Sequence, residues 1–288
     1  MNGFLLVDKP VGMTSFSAVA MCRRVFGTQD IGHSGTLDPF ATGLLLLAFG
    51  EAKKMLEYLP SAPKIYSGTA ILGSSSDSFD KDGVIVEQVG LDVLREKVSR
   101  EVLEKCINEN LLGKISQTPP KYSAIKIDGI PAHRRMRNGQ DVTIPPREVE
   151  IFSFEVLSVD LPRFTFRCSV STGTYIRSLI QSIGDILEVG AYMEELRREQ
   201  IGPFVLADSH TVEALETLSE KDFLPLEIGV TELPRVDLSE EEFERLRNGL
   251  YIGFAQPQLS AGFLQGNVVA ILEAVGTDQL KVKKLLHR

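Results

Sequence analysis

Between Arg163 and Val170 apolar and polar side chains alternate without a break: Phe164, Phe166, Cys168 and Val170 point one way, and Arg163, Thr165, Arg167 and Ser169 the other. A period of two is that of a strand with one face buried and one face wet, the pattern of an antiparallel sheet. After the turn Ser171-Thr172-Gly173, Ile176, Leu179, Ile180, Ile183 and Leu187 recur at helical spacing and form one stripe. Elsewhere strands and helices mix without a regular strand–helix–strand rhythm. The predicted class is therefore α+β, with a mixed, largely antiparallel central sheet and flanking helices.

Residues 3–7 read as a strand that leaves into the turn Asp8-Lys9-Pro10. Thr14 or Ser15 offers an N-cap for a helix carrying Val19, Cys22, Val25 and Phe26, closed by Gly27. Residues 30–43, with three glycines, are expected to form an ordered loop, 51–59 a short helix, 64–72 a strand and 73–83 a turn. Two helices are expected over 91–98 and from 101 to beyond 107, before the break at Pro119-Pro120. Residues 121–147 are polar and basic and read as an excursion from the main body. A second short helix is expected to hold Met193 and Leu196. Beyond Pro234 an acidic helix (239–247) and a strand (268–275) mark a small β-rich C-terminal module.

A chain of 288 residues suggests one large domain, or one large plus one small. Its longest apolar run, 44–49, falls far short of the about 20 residues that a spanning helix needs. The start lacks a secretory pattern, and Cys22, Cys106 and Cys168 form neither a disulfide framework nor a CxxC pair, so a cytoplasmic, reducing location is expected. GxGxxG, Walker and HExxH motifs are absent, which removes the common nucleotide and zinc-protease readings. The formal charge of −8 argues against a nucleic-acid partner until it is mapped: residues 1–150 carry 18 basic and 18 acidic side chains, so the excess acid lies wholly beyond them. Within 121–147, Lys121, Lys126, Arg134, Arg135, Arg137 and Arg147 face only Asp128 and Asp141. That local surplus suits either a solvated loop or a phosphate-binding surface.

The densest candidate for chemistry is the loop Gly32-His33-Ser34-Gly35-Thr36-Leu37-Asp38-Pro39. Pro39 keeps Asp38 out of a helix interior, and an Asp fixed in a glycine-rich loop can serve as nucleophile or general base. Asp-Pro also opens ordinary turns, and His33 also fits a solvated loop. Asp77, Asp80 and Asp82 before Gly83 suggest a calcium loop, but the bidentate Glu would fall on Val89, so no metal is expected. One of these carboxylates can still line a site or receive a cation. Tyr66 heads a strand. Tyr175 and Arg177 flank a helix start, from which Arg177 can hold a distant Asp ionised.

The blocks DKPVGMTS (8–15), GHSGTLDPFATGLL (32–45), KIYSGTAILG (64–73), PPKYSAIKIDG (119–129) and STGTYIRSLIQSIG (171–184) occur in order along essentially the whole chain. Together they resemble the TruB family of tRNA pseudouridine-55 synthases. The resemblance implies the pseudouridine synthase fold over 1–232, with a thumb-like RNA-binding insertion at about 119–148, and a PUA-like RNA-binding module over 235–288. It implies isomerisation of a uridine in the tRNA T-loop, with no cofactor, no metal and no required protein partner, by a chain taken as a monomer free of membranes.

On this resemblance Asp38 is the essential carboxylate, by covalent attack or through a glycal, and Arg177 is its counter-charge. Tyr66 stacks on the base and accepts the C5 proton. Tyr175 and Leu196 shape the pocket, His33 fills the place of the flipped base, and Lys9 supports the site from the DKP turn. Lys121, Lys126, Arg134 and Arg137 are the expected contacts to the RNA backbone. Within the insertion, His133 and Met136-Arg137 stand where the family usually shows an aromatic and an Ala-Arg pair. Two other readings compete: a non-catalytic tRNA-binding module or RNA-folding chaperone, and a carboxylate metal hydrolase using Asp38 with the 77–82 cluster.

Overall fold

The computed structural model describes residues 1–59, 63–127 and 129–286, without the side chains of His133 and Arg137. The apolar run near residue 45 becomes a strand, Thr42–Phe49, paired antiparallel with Gly3–Lys9 from Gly3↔Phe49 to Lys9↔Gly43. Leu44 to Leu47 are all fully buried because this strand is covered on both faces. Leu44, Leu46 and Ala48 enter one core with Phe4 and Leu6. Leu45, Leu47 and Phe49 enter another, with Ala18, Val19 and Cys22 of the helix Ser15–Val25. Thr14 caps that helix by accepting a hydrogen bond from the Ser17 N–H.

Among the described residues the main sheet has ten strands. Its path runs His210–Thr211, Gly3–Lys9, Thr42–Phe49, Ala191–Ile201, Lys64–Leu72, Arg163–Val170, Arg147–Asp160 and Gly113–Gln117. Phe204–Val205 and Ile31–Ser34 pair off this path. Most neighbours are antiparallel, as expected. Two joints are parallel: His210–Thr211 on Gly3–Lys9, and Thr42–Phe49 on Ala191–Ile201. The second joint comprises only Arg197↔Thr42 and Arg198↔Gly43. Gly43 permits it, since its φ is +100° and a Cβ there would stand 2.3 Å from the Arg198 carbonyl oxygen.

The alternating strand Arg163–Val170 behaves as its pattern requires. Phe164, Phe166, Cys168 and Val170 are buried in one core with Leu103 and Ile107 of the helix Arg100–Asn110 and with Leu179, Ile180 and Ile183 of the helix Ile176–Ile186. On the wet face Arg163 and Arg167 pair with Glu194 and Glu199 of the strand Ala191–Ile201, at 2.7 and 2.8 Å.

That last strand overturns an expectation: residues around Met193 and Leu196 form no helix. The strand pairs with Lys64–Leu72 over its length but carries irregularities at Met193/Glu195 and Arg198/Gln200. An inserted residue puts Met193 and Leu196, three apart, on the same buried side, so a bulged strand imitates helical spacing. Pairing on both flanks then decides its conformation over local propensity. The loop expected over 30–43 likewise contains a short strand, Ile31–Ser34. The helix expected over 51–59 is a 3₁₀ turn, Gly50–Met55. The turn after Leu72 begins with Ser74–Ser76, paired with Ile85–Glu87.

The basic excursion is a small structure of its own. A hairpin (Lys126–Ile127 with Ile130–Pro131) leads into the helix Ala132–Arg137. Ala132, Val142 and Ile144 form its core with Ile125, Ile127 and Met136. At the C-terminal end Arg235–Asp237, Ser260–Leu264, Asn267–Val275, Gln279–Leu285 and Ile252–Gly253 make a separate sheet, the PUA-like unit, with the helix Glu240–Arg247. Its residues Ala261, Phe263, Val268 and Ile271 share a core with Phe4, Leu6 and Met55 of the main body.

Candidate active site

Asp38 lies in the loop between Ile31–Ser34 and Thr42–Phe49, and that loop is fixed from below. The fully buried Lys9 ammonium donates to the carbonyls of Pro10 (3.0 Å), Met13 (2.7 Å) and Pro39 (3.5 Å). The Gly12 N–H donates to the same Pro39 carbonyl at 2.8 Å. Ser15 Oγ accepts from the Leu37 N–H (2.9 Å) and donates to the Leu37 carbonyl (3.2 Å). Lys9 of the DKP turn and Ser15 at the start of the next helix therefore tie down the residues on both sides of Asp38. Burial pushes the Lys9 ammonium down to about 8, against the pull of the Asp38 charge.

Arg177, in the first turn of the helix Ile176–Ile186, is 2% exposed and links two carboxylates. Its Nη2 donates to Asp38 Oδ1 at 3.0 Å, and its Nε stands 2.9 Å from Asp38 Oδ2, off the hydrogen-bond direction. Its Nη1 donates to Asp80 Oδ2 at 2.8 Å and to the Ser78 carbonyl at 2.7 Å, while Nη2 also reaches the Tyr122 carbonyl at 3.1 Å. Asp80 is buried and further held by Ser78 Oγ (2.6 Å) and the Asp82 N–H (3.1 Å). Phe79, just before it, has φ +64°. Its carbonyl accepts from Met193 N–H, and Lys81 N–H donates to the Met193 carbonyl, so the strand Ala191–Ile201 holds this strained backbone in place.

Burial is the largest influence on Asp38 and raises its carboxyl above the usual value, Arg177 opposes the rise, and Asp80 adds to it. About a third of the side chain (31%) is still exposed. The Arg177 guanidinium stands against both oxygens and favours the charged form against that rise. The three charges sum to −1, and Asp38 carries the reachable part.

Tyr66 belongs to the same buried cluster as Leu37 and Leu196. Arg198 stands opposite it across the strand pair, fully buried. Burial raises the Tyr66 hydroxyl, and Arg198 acts against that rise. His33, half-buried on Ile31–Ser34, has its Nδ1 buried without a hydrogen bond. Burial first, and then Arg198, lower its pKa, so its imidazole is neutral. Tyr175 precedes the helix, and its backbone is gripped by Gln117, which accepts from its N–H (2.8 Å) and donates to its carbonyl (3.0 Å). Arg147 lies over its ring, 4.9 Å from the centroid.

Asp38, Arg177 and Lys9 thus meet at the Asp38 loop, and Tyr66 and Leu196 share the buried cluster that Leu37 of that loop enters. Of the expected backbone contacts, Lys126 and Arg134 are exposed on the insertion. Lys121 is exposed but paired with Asp141 at 2.6 Å. The side chain of Arg137 lies outside the described ones. Sequence reasoning left Asp80 as one of three interchangeable carboxylates and passed over Arg198 and Gln117. A period-two reading of 196 and 198 would have put Arg198 beside Leu196, whereas Gln117 gives no sequence signal of its own.

Residues 23–176 match the model of the TruB family pseudouridylate synthase N-terminal domain, and residues 177–227 that of the tRNA pseudouridylate synthase B C-terminal domain. The chain is 39% identical over 296 residues to the tRNA pseudouridine synthase B of Streptococcus gordonii, covering 99% of each. It is 41% identical over 290 residues to that of Streptococcus pneumoniae serotype 4, covering 96% of this chain and 97% of the relative. Among solved structures it is similar to a Cbf5–Nop10–Gar1 complex (TM-score 0.71, 26% identity, 98% of this chain and 84% of the other). A chain of an H/ACA ribonucleoprotein bound to a substrate RNA containing 2′-deoxyuridine has the same fold (TM-score 0.72, 24% identity, 99% and 85% covered).

Proposed function

We infer, from the fact that this chain belongs to the TruB family of pseudouridylate synthases and from the groups its cleft assembles, that it isomerises uridine to pseudouridine in tRNA, at position 55 of the T-loop. The observation that carries this reading is the partly open Asp38 held on Arg177 beside a buried phenol. The reaction breaks the C1′–N1 bond and forms a C1′–C5 bond, while C5 loses a proton and N1 gains one. Atoms and electrons balance within the nucleoside, so the protein has to supply only a carboxylate, a surface for the detached base and a proton acceptor.

Asp38 fits the first task by either of two routes, attack on the nucleotide or removal of a ribose proton. Both need a fixed carboxylate shielded from bulk water. Tyr66, with Leu196 beside it, offers the base a flat apolar wall, and base–aromatic stacking contributes about 1–3 kcal/mol. Tyr66, opposite Arg198 across the strand pair, takes the role of acceptor of the C5 proton. A uridine inside a folded T-loop must first leave its stack, which costs a few kcal/mol. A neutral, planar His33 at the rim suits the vacated place. The exposed cations Lys126 and Arg134 hold the RNA backbone, with Arg137 and Lys121 in the same role, and the C-terminal sheet adds a contact of its own. The protein acts as a monomer in the cytoplasm.

The test is release of tritium from C5-labelled uridine in a T-arm RNA, with the modified position mapped. Release at position 55 in the presence of chelator supports the reading. RNA binding without release would favour the chaperone, and a divalent ion needed for the chemical step would favour the hydrolase.

A further inference from the structure

Two cations of the cleft wall have no carboxylate partner among the described residues. Lys64 opens the strand that carries Tyr66, two residues on and so on the same face. Arg198 crosses from the neighbouring strand, opposite Tyr66. Its Nε donates to the Leu44 carbonyl at 2.7 Å and its Nη2 to the Gly35 carbonyl at 3.1 Å, so its hydrogen bonds go to neutral acceptors. Lys64 feels only burial and the like charge of Arg198, which push its ammonium down to about 8.

Both side chains converge on Gly35, the exposed tip of the loop that carries Asp38. A Cβ at Gly35 would stand 3.2 Å from Lys64 Nζ and 3.3 Å from Arg198 Nη1, and its φ of +74° favours glycine in any case. Around the cleft Lys9, Lys64, Arg177 and Arg198 outnumber Asp38 and Asp80, in a chain whose formal charge is −8. Uncompensated like charges at this depth are unfavourable unless an anion completes them. Lys64 is only half-buried, and Gly35 is exposed. Two strand residues span about 6.6 Å, so Lys64 stands close along the strand to Tyr66.

We propose that Lys64, backed by Arg198 at Gly35, is an anion subsite that takes the backbone phosphate next to the nucleotide held at Asp38 and Tyr66. Lys64 makes the contact, and the buried Arg198 strengthens the field behind it. The subsite deepens the RNA reading above and rests on it.

The experiment measures T-arm RNA affinity for the wild type, Lys64→Gln and Lys64→Arg, with neutral methylphosphonate linkages placed one at a time on either side of the target uridine. One neutral linkage should weaken the wild type about tenfold near 0.1 M salt, the scale of a single phosphate interaction. The same linkage should leave Lys64→Gln unchanged, and Lys64→Arg should keep the wild-type response. Lys64→Gln should also lower the salt slope by about 0.7–0.9. Matching thermal transitions of the three proteins would show that the fold is intact. If every linkage affects wild type and Lys64→Gln alike, the subsite is wrong while the function stands. If the wild type does not bind T-arm RNA at all, the functional reading itself falls.

Discussion

The cleft and the basic insertion both carry Arg and Lys, and they use them in opposite ways. In the cleft Arg177 is buried, hydrogen-bonded through both terminal nitrogens and shared by Asp38 and Asp80. In the insertion Lys126 and Arg134 stand in solvent on a unit with a three-residue buried core. Desolvated charge is strong, directional and hard to replace. Exposed charge is screened, additive and tolerant of substitution. The contrast assigns chemistry to the first region and affinity to the second.

Arg177→Met puts the most strain on that division. It strands a buried Asp80 and a partly buried Asp38, and is expected to lower stability by about 3–5 kcal/mol and leave turnover nearly absent. Urea unfolding together with tritium release checks it, and near-normal turnover would remove any role for the ion pair. Acid should come next. Because burial raises the Asp38 carboxyl, kcat should fall as pH drops through a value above the ordinary 3.8, and Arg177→Lys should move that limb further up. A kcat–pH profile with no such limb would show that Asp38 is not the titrating group.

His33→Ala should slow the reaction about tenfold on a folded T-arm, and hardly at all on an unstructured RNA with the same uridine, since only the first substrate has to be unstacked. Equal slowing on both would move His33 from access to chemistry. The smallest effect is expected from Lys126→Gln with Arg134→Gln. Affinity should drop several-fold and the salt slope by about 0.9 for each phosphate no longer neutralised, with kcat unchanged. A drop in kcat instead would erase the distinction between the two regions.

The legible parts of this protein were those with an uninterrupted period or a dense local motif. Arg163–Val170 and the helix after Gly173 followed their spacing, and the Asp38 loop stood out by its glycines and its Asp-Pro step. The strand Ala191–Ile201 did not, because its irregularities at Met193/Glu195 and Arg198/Gln200 put a spacing of three where a strand should show two. Arg198 was missed with it. Asp80 was visible only as one of three acids, since its selection depends on a left-handed Phe79 and on Met193, more than a hundred positions away in the chain. The ion pair of Asp38 with Arg177 joins residues 139 positions apart in the same way, and family resemblance, not spacing, indicated it.

If the carboxylate held by Arg177 acts on the nucleotide itself, its charge and not its shape must matter. Asp38→Asn keeps the shape and the guanidinium contact but removes the charge. It also removes a carboxylate whose raised pKa makes its ionisation unfavourable to the fold at neutral pH, so the variant should unfold no earlier than the wild type. It should bind T-arm RNA within a few-fold of the wild type and release no tritium from C5-labelled uridine. Release at a rate near that of the wild type, from a variant confirmed by mass to carry Asn, would show that Asp38 is not the reacting group.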